Sequence, residues 1–136
     1  MKTRIIRIAT VAFLIAFAGV WWSRAQSGTK VTTKEVMMQK LEFAHYILNG
    51  VATDNFDLIA KNADQLARLS HESAWRARES ADYEVLSAEF RRQVEALAKA
   101  AKDRNSDAAS LAYVQMTLSC VNCHKYMRGG KKAGEF

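Results

Sequence analysis

The chain has 136 residues, 49% hydrophobic and 25% charged, which is the size and composition of one globular domain and excludes a disordered chain. There is no proline and there are only six glycines, a usage that suits helices, and the Val/Ile/Thr alternation of strands is missing. The net charge of +6 does not make a nucleic-acid surface: Lys2, Arg4, Arg7 and Arg24 fall in the first 25 residues with no acid among them, leaving sixteen Lys/Arg against fourteen Asp/Glu beyond.

Those first residues read as an export signal. A basic start, MKTRIIR, precedes fifteen apolar residues at 8–22, and Ser23 and Ala25 stand at the −3 and −1 positions of a cleavage site before Gln26. The apolar run is shorter than the roughly 20 residues of a membrane span. Cleavage after residue 25 is therefore expected, giving a periplasmic or otherwise exported domain over 26–136. The alternative is retention as an N-terminal membrane anchor, with Trp21 and Trp22 at the interface.

A polar spacer follows, and then four helical patterns. The first is expected over about 30–49, with Met37, Leu41, Ala44, His45 and Leu48 on one stripe and Gly50 as the stop. Thr53 or Asp54 is placed to N-cap a second helix over about 55–70, whose buried face carries Phe56, Ile59, Ala63, Leu66 and Ala67. Residues 70–82 lose the period and read as a solvated loop with a turn of helix in it; Trp75, Arg76 and Arg78 lie there. A third helix, about 83–104, carries Leu86, Phe90, Val94, Leu97 and Ala101, while Arg91 and Arg92 mark its exposed face. Ser106 is placed to N-cap a fourth, about 107–128, that is apolar on two stripes: Ala109, Tyr113, Met116, Cys120, Cys123 and Met127, and Leu111, Val114, Leu118 and Val121. That width predicts the last helix to be the most buried. Four helices with mostly short links predict an all-α, up-down-up-down four-helix bundle.

The chemistry is concentrated in LSCVNCHKYMRGG, residues 118–130, which holds both cysteines of the chain and a histidine directly after the second. The spacing C-x-x-C-H is that of a c-type haem: two thiols add across the porphyrin vinyl groups and the adjacent imidazole binds the iron. Other chemistries fit less well. A thioredoxin-type pair needs a βαβ context and a helix N-terminus, and Cys120 and Cys123 lie near the other end of a helix. A structural zinc site needs four ligands, and only His45 and His71 remain as further histidines, in no paired motif. A disulfide is permitted by export but leaves His124 unexplained. One motif implies one haem. No catalytic acid–base pair or substrate pocket is visible, so the chain is not read as an enzyme.

CVNCHKYMR, with DNFDLIAKNADQLARLS and its A-x-x-L-x-x-L run, resembles the cytochrome c′/cytochrome c556 family over about residues 30–130. The resemblance implies an exported four-helix bundle with one covalent haem c on its last helix, held by Cys120 and Cys123 with His124 as proximal ligand. The family's basic residue four positions after that histidine is matched by Arg128; its aromatic residue three positions after is replaced by Met127, with Tyr126 one position earlier. The family's distal residue, on the first helix, falls on Met37. His45 lies about 12 Å further along that helix at 1.5 Å per residue, so the two cannot both sit over one iron. Three distal arrangements stay open: ligation by Met37 or Met38, giving a six-coordinate electron carrier; an open iron that takes NO or CO; or ligation by His45, whose ordinary reading is core or partly wet packing. Leu41, Phe90, Tyr113 and Met116 are candidate pocket walls and equally ordinary bundle core, and Arg76 and Arg78 are candidate partners of the haem propionates. The implied partners are redox proteins, with no nucleic acid, a membrane only through an uncleaved signal, and a homodimer by family resemblance.

Overall fold

The computed structural model describes residues 31–129. The export signal and Gly130 lie outside them. Four α-helices run in order: α1, Thr33–Ala52; α2, Phe56–Leu69; α3, Ala81–Lys102; and α4, Ser106–Met127. A 3-10 turn, Ser73–Trp75, stands between α2 and α3, and no strand occurs among the described residues. The arrangement fits a four-helix bundle. Among the described residues no helix is long and apolar enough to cross a membrane.

Each helix begins on a side chain that accepts from an orphan backbone N–H of its first turn. Thr32 and Glu35 form a reciprocal capping box on α1, with the Thr32 N–H donating to Glu35 Oε2 at 2.7 Å and the Glu35 N–H to Thr32 Oγ1 at 3.2 Å. Asn55 Oδ1 accepts from Leu58 at 3.0 Å, Ser80 Oγ from Tyr83 at 3.2 Å and Asn105 Oδ1 from Ala108 at 2.9 Å. Two expected caps are thereby corrected: Asn55 takes the place given to Thr53 or Asp54, and Asn105 that given to Ser106. The two short turns share one design. Asp54 and Arg104 both sit at φ 51°, and the next asparagine N–H reaches back to Gly50 O at 2.9 Å and to Ala100 O at 3.0 Å. One left-handed residue closes the outgoing helix, and the asparagine after it caps the incoming one.

Gly50 does not stop α1, which runs on to Ala52. It is buried where α1 meets α2: a Cβ there would lie 2.7 Å from Ile59 Cγ1 and 3.0 Å from Asn55 O. The glycine is kept by close approach, not by a turn. Gly50→Ala should therefore destabilise, the overlap outweighing the roughly 1 kcal/mol of helix propensity gained and leaving a net loss of about 1–2 kcal/mol in denaturant unfolding.

The core runs through all four helices: Val36 and Ile47 from α1, Ile59, Ala63 and Leu66 from α2, Phe90, Val94 and Leu97 from α3, and Ala109 and Met116 from α4. Each α-helix packs broadly on the next in sequence, while α1 and α4 meet over only a narrow contact. The expected faces of α2 and α3 are the buried ones. That of α1 is shifted. Its inward row is Val36, Lys40, Ile47 and Gly50, flanked by Met37, Phe43, Ala44 and Val51, whereas Leu41, His45 and Leu48 point outward. The expectation for α4 also fails on one side. Its first stripe packs inward, but Leu111, Val114, Leu118 and Val121 are 42–59% exposed, because they lie opposite the face that α3 covers.

Candidate functional site

An apolar cleft of about 170 Å³ opens where α1, the 3-10 turn, α3 and α4 come together. α1 contributes Thr33, Met37 and Lys40, the turn and the irregular segment after it contribute Trp75 and Ala77, α3 contributes Tyr83, and α4 contributes Cys123, His124 and Met127. Met37 and His124, 87 positions apart in the chain, thus line one space. Cys120 lies one turn back along α4, half-buried against the core, and both thiols are free. No three His, Cys, Asp or Glu side chains among the described residues gather as metal ligands.

Local structure explains the placement. Cys120, Cys123 and Met127 fall on the inward stripe of α4, and His124 sits at the edge of that stripe, exposed but reaching the cleft. Burial pushes the Cys123 thiol up, partly offset by the charge of Lys40. That is the reverse of the activation a nucleophilic redox cysteine needs. Burial also holds the His124 imidazole below its ordinary range, reinforced by the Lys40 and Arg128 charges. A lowered value keeps the ring neutral to lower pH than a free histidine, and neutral imidazole is the form that binds a metal. Arg128 is exposed and caps α4, its N–H donating to His124 O at 3.2 Å.

The far wall is locked by the segment that read as a solvated loop. Trp75 is 5% exposed, its Nε1–H donating to Ser87 Oγ at 3.2 Å and its ring centroid 5.1 Å from that of Phe90. The Tyr83 hydroxyl donates to the Trp75 carbonyl and accepts from the Ala77 N–H at 3.3 Å. Ser80 Oγ and the Tyr126 hydroxyl lie 2.9 Å apart, and Arg78 stacks over the Tyr126 ring at 5.2 Å. Tyr83→Phe leaves a carbonyl and an N–H without their partner, an expected loss of about 1–3 kcal/mol. Hydrogen exchange at the Ala77 amide should speed up accordingly.

Comparison with protein-family models, with characterised proteins and with solved structures returns no match.

Of the residues singled out in the sequence, the structure brings Met37, Cys123 and His124 into one cleft, with Cys120 and Arg128 beside them on α4. It does not bring Leu41, which is 49% exposed and absent from the lining; nor Met38, 59% exposed; nor His45, which points outward instead of packing in the core. Their loss has one cause, the shifted face of α1. Phe90 and Met116 are buried core and Tyr113 is half-buried, none of them lining the cleft. Arg76 is exposed and pairs with Glu84 at 3.6 Å.

Sequence reasoning missed Lys40, Trp75 and Tyr83 as walls. Lys40 is the notable one, 7% exposed, with its ammonium 3.9 Å from the Phe90 ring centroid and 4.6 Å from that of Trp75. The signal available for it was the two-aromatic cage, which only the fold assembles. A larger cavity of about 370 Å³ lies on the other side of Trp75 and Tyr83. Glu72, Glu84, Arg76 and Arg91 line it with both signs of charge, and no cysteine or methionine reaches it.

Proposed function

We propose that this protein is an exported, single-haem c-type cytochrome of the cytochrome c′/c556 kind, with its helices in up-down-up-down order, and that it carries electrons between redox partner proteins. One observation carries the reading: Met37 and His124 line the same apolar cleft, with Cys123 of the C-x-x-C-H motif in its wall. The donor set fits the group. A neutral imidazole and a thioether are the pair that binds haem iron in six-coordinate carriers, and two half-buried free thiols one turn apart are the attachment points.

The cleft is smaller than the roughly 300 Å³ at which small-molecule pockets begin. Admitting a porphyrin therefore requires widening, and the narrow α1–α4 contact is the side that yields most easily. The unbranched side chains of Met37 and Met127 are the ones able to move.

When bound, the haem supplies reversible one-electron chemistry. The chain does the rest. Cys120 and Cys123 fix the group on α4, and His124 presents its imidazole from the same helix. Met37 closes the α1 side, and the buried Trp75 and Tyr83 keep water from the wall opposite. Apolar burial of this kind tunes the potential of the iron.

The second reading is a gas-binding protein with an open distal side. Met37 distinguishes the two, since it is half-buried in the cleft and can either ligate or merely pack. The visible spectrum of the reduced protein decides. Split, sharp bands unchanged by CO are expected for the electron carrier. A broad high-spin spectrum that shifts with CO would replace it with the gas-binding reading.

A further inference from the structure

Lys40 is a cation on a face that is otherwise apolar. It stands on the inward row of α1, its ammonium rests on the faces of Trp75 and Phe90, and no carboxylate among the described residues is within ion-pair distance. A cation with no acidic partner at an apolar wall costs free energy, and the two aromatic faces offset it only in part. It also lines the same cleft as Met37, Cys123 and His124. A fixed positive charge therefore faces the space where the proposed function places the haem. Trp75 holds the other side of that charge and is itself held by Ser87 and Tyr83.

We infer that the Lys40 ammonium, seated on the wall of this cleft, raises the reduction potential of the haem bound there. The inference rests on the haem reading above. Reduction adds one electron, delivered by an external reductant, and neither makes nor breaks a bond. The site loses one positive charge, so a nearby fixed cation favours the reduced state. The effect grows as water is excluded: the Lys40 stem is buried, and its ammonium faces the cleft, so a group seated there covers its open side. Two levers thus act in one direction, an apolar wall and a cation seated in it.

The test uses the full chain made with haem-maturation machinery, titrated with dithionite and ferricyanide while the visible spectrum reports the reduced fraction. Lys40→Met keeps the length and apolar stem and removes the charge; Lys40→Gln does so with a polar end; Lys40→Arg keeps the charge. At the midpoint of the wild type, the neutral variants should show a reduced-to-oxidised ratio about tenfold lower, which is about 59 mV for one electron. Lys40→Arg should stay within about twofold of wild type.

If Lys40→Met and Lys40→Gln load haem and keep the wild-type potential, the ammonium has swung out to solvent and the inference is overturned. If neither variant loads haem, Lys40 serves assembly and not tuning, which also overturns it. A haem-free wild type removes the cytochrome reading itself, an outcome seen before any variant is compared.

Discussion

Replacing both cysteines, Cys120→Ala with Cys123→Ala, is expected to abolish covalent haem attachment entirely while leaving the helices in place. Cys120 is half-buried against the core and Cys123 lines the cleft. Each loses one sulfur, a small volume in a region that already tolerates an open cleft, so the cost in stability should be about 1 kcal/mol per site. Circular dichroism should show the same helical content. Denaturing gels stained for haem peroxidase activity should go from a band at the protein's position to none. Each single variant should retain one thioether bond at reduced yield. A double variant that still carried haem through denaturation would show that the attachment is elsewhere.

Met37→Ala gives the second large effect, and its readout is spectroscopic. Met37 is half-buried on the α1 side of the cleft, and His124 stands on the α4 side. If the thioether binds the iron, its removal opens the sixth position. The sharp low-spin spectrum of the reduced protein should become broad and high-spin, and CO, inert before, should bind stoichiometrically. The potential should fall, because thioether ligation favours the reduced state. Met38→Ala is the matched control. Met38 is only one residue away but points to solvent, and it should change neither spectrum nor potential. An unchanged Met37→Ala spectrum would mean the iron has no ligand from this position.

The parts that were legible in the sequence are the local ones. The C-x-x-C-H motif spans five residues and needs no fold to be read. The four helices follow from the 3.6-residue period and the absence of proline, and their ends were located to within a few residues. What failed was phase. α1 carries two competing apolar rows, Val36, Phe43 and Ile47 against Leu41 and Leu48, and a lysine at position 40 breaks the first of them. Counting apolar residues therefore favoured the outward row, and with it Leu41 and His45. The burial of Lys40 is decided by Trp75 and Phe90, 35 and 50 positions away, which no local pattern reports.

Trp75 was hidden for a related reason. It sits in a polar, aperiodic stretch that reads as solvated. Its burial depends on Ser87 and Tyr83 reaching back from α3. The second stripe of α4 misled in the opposite sense. Leu111, Val114, Leu118 and Val121 look like core by composition, but the helix has one neighbour packed broadly on it and its far face stays open.

The most direct test of the central claim is haem retention by the wild-type chain. Protein expressed with c-type maturation machinery is precipitated with acidified acetone, which removes non-covalent haem, and the pellet is assayed as the pyridine haemochrome. The expected result is one haem per chain, retained in the pellet with the shifted α-band of a saturated vinyl pair. Haem that leaves with the solvent, or a pellet with none, would contradict the assignment of Cys120, Cys123 and His124 as its holding site.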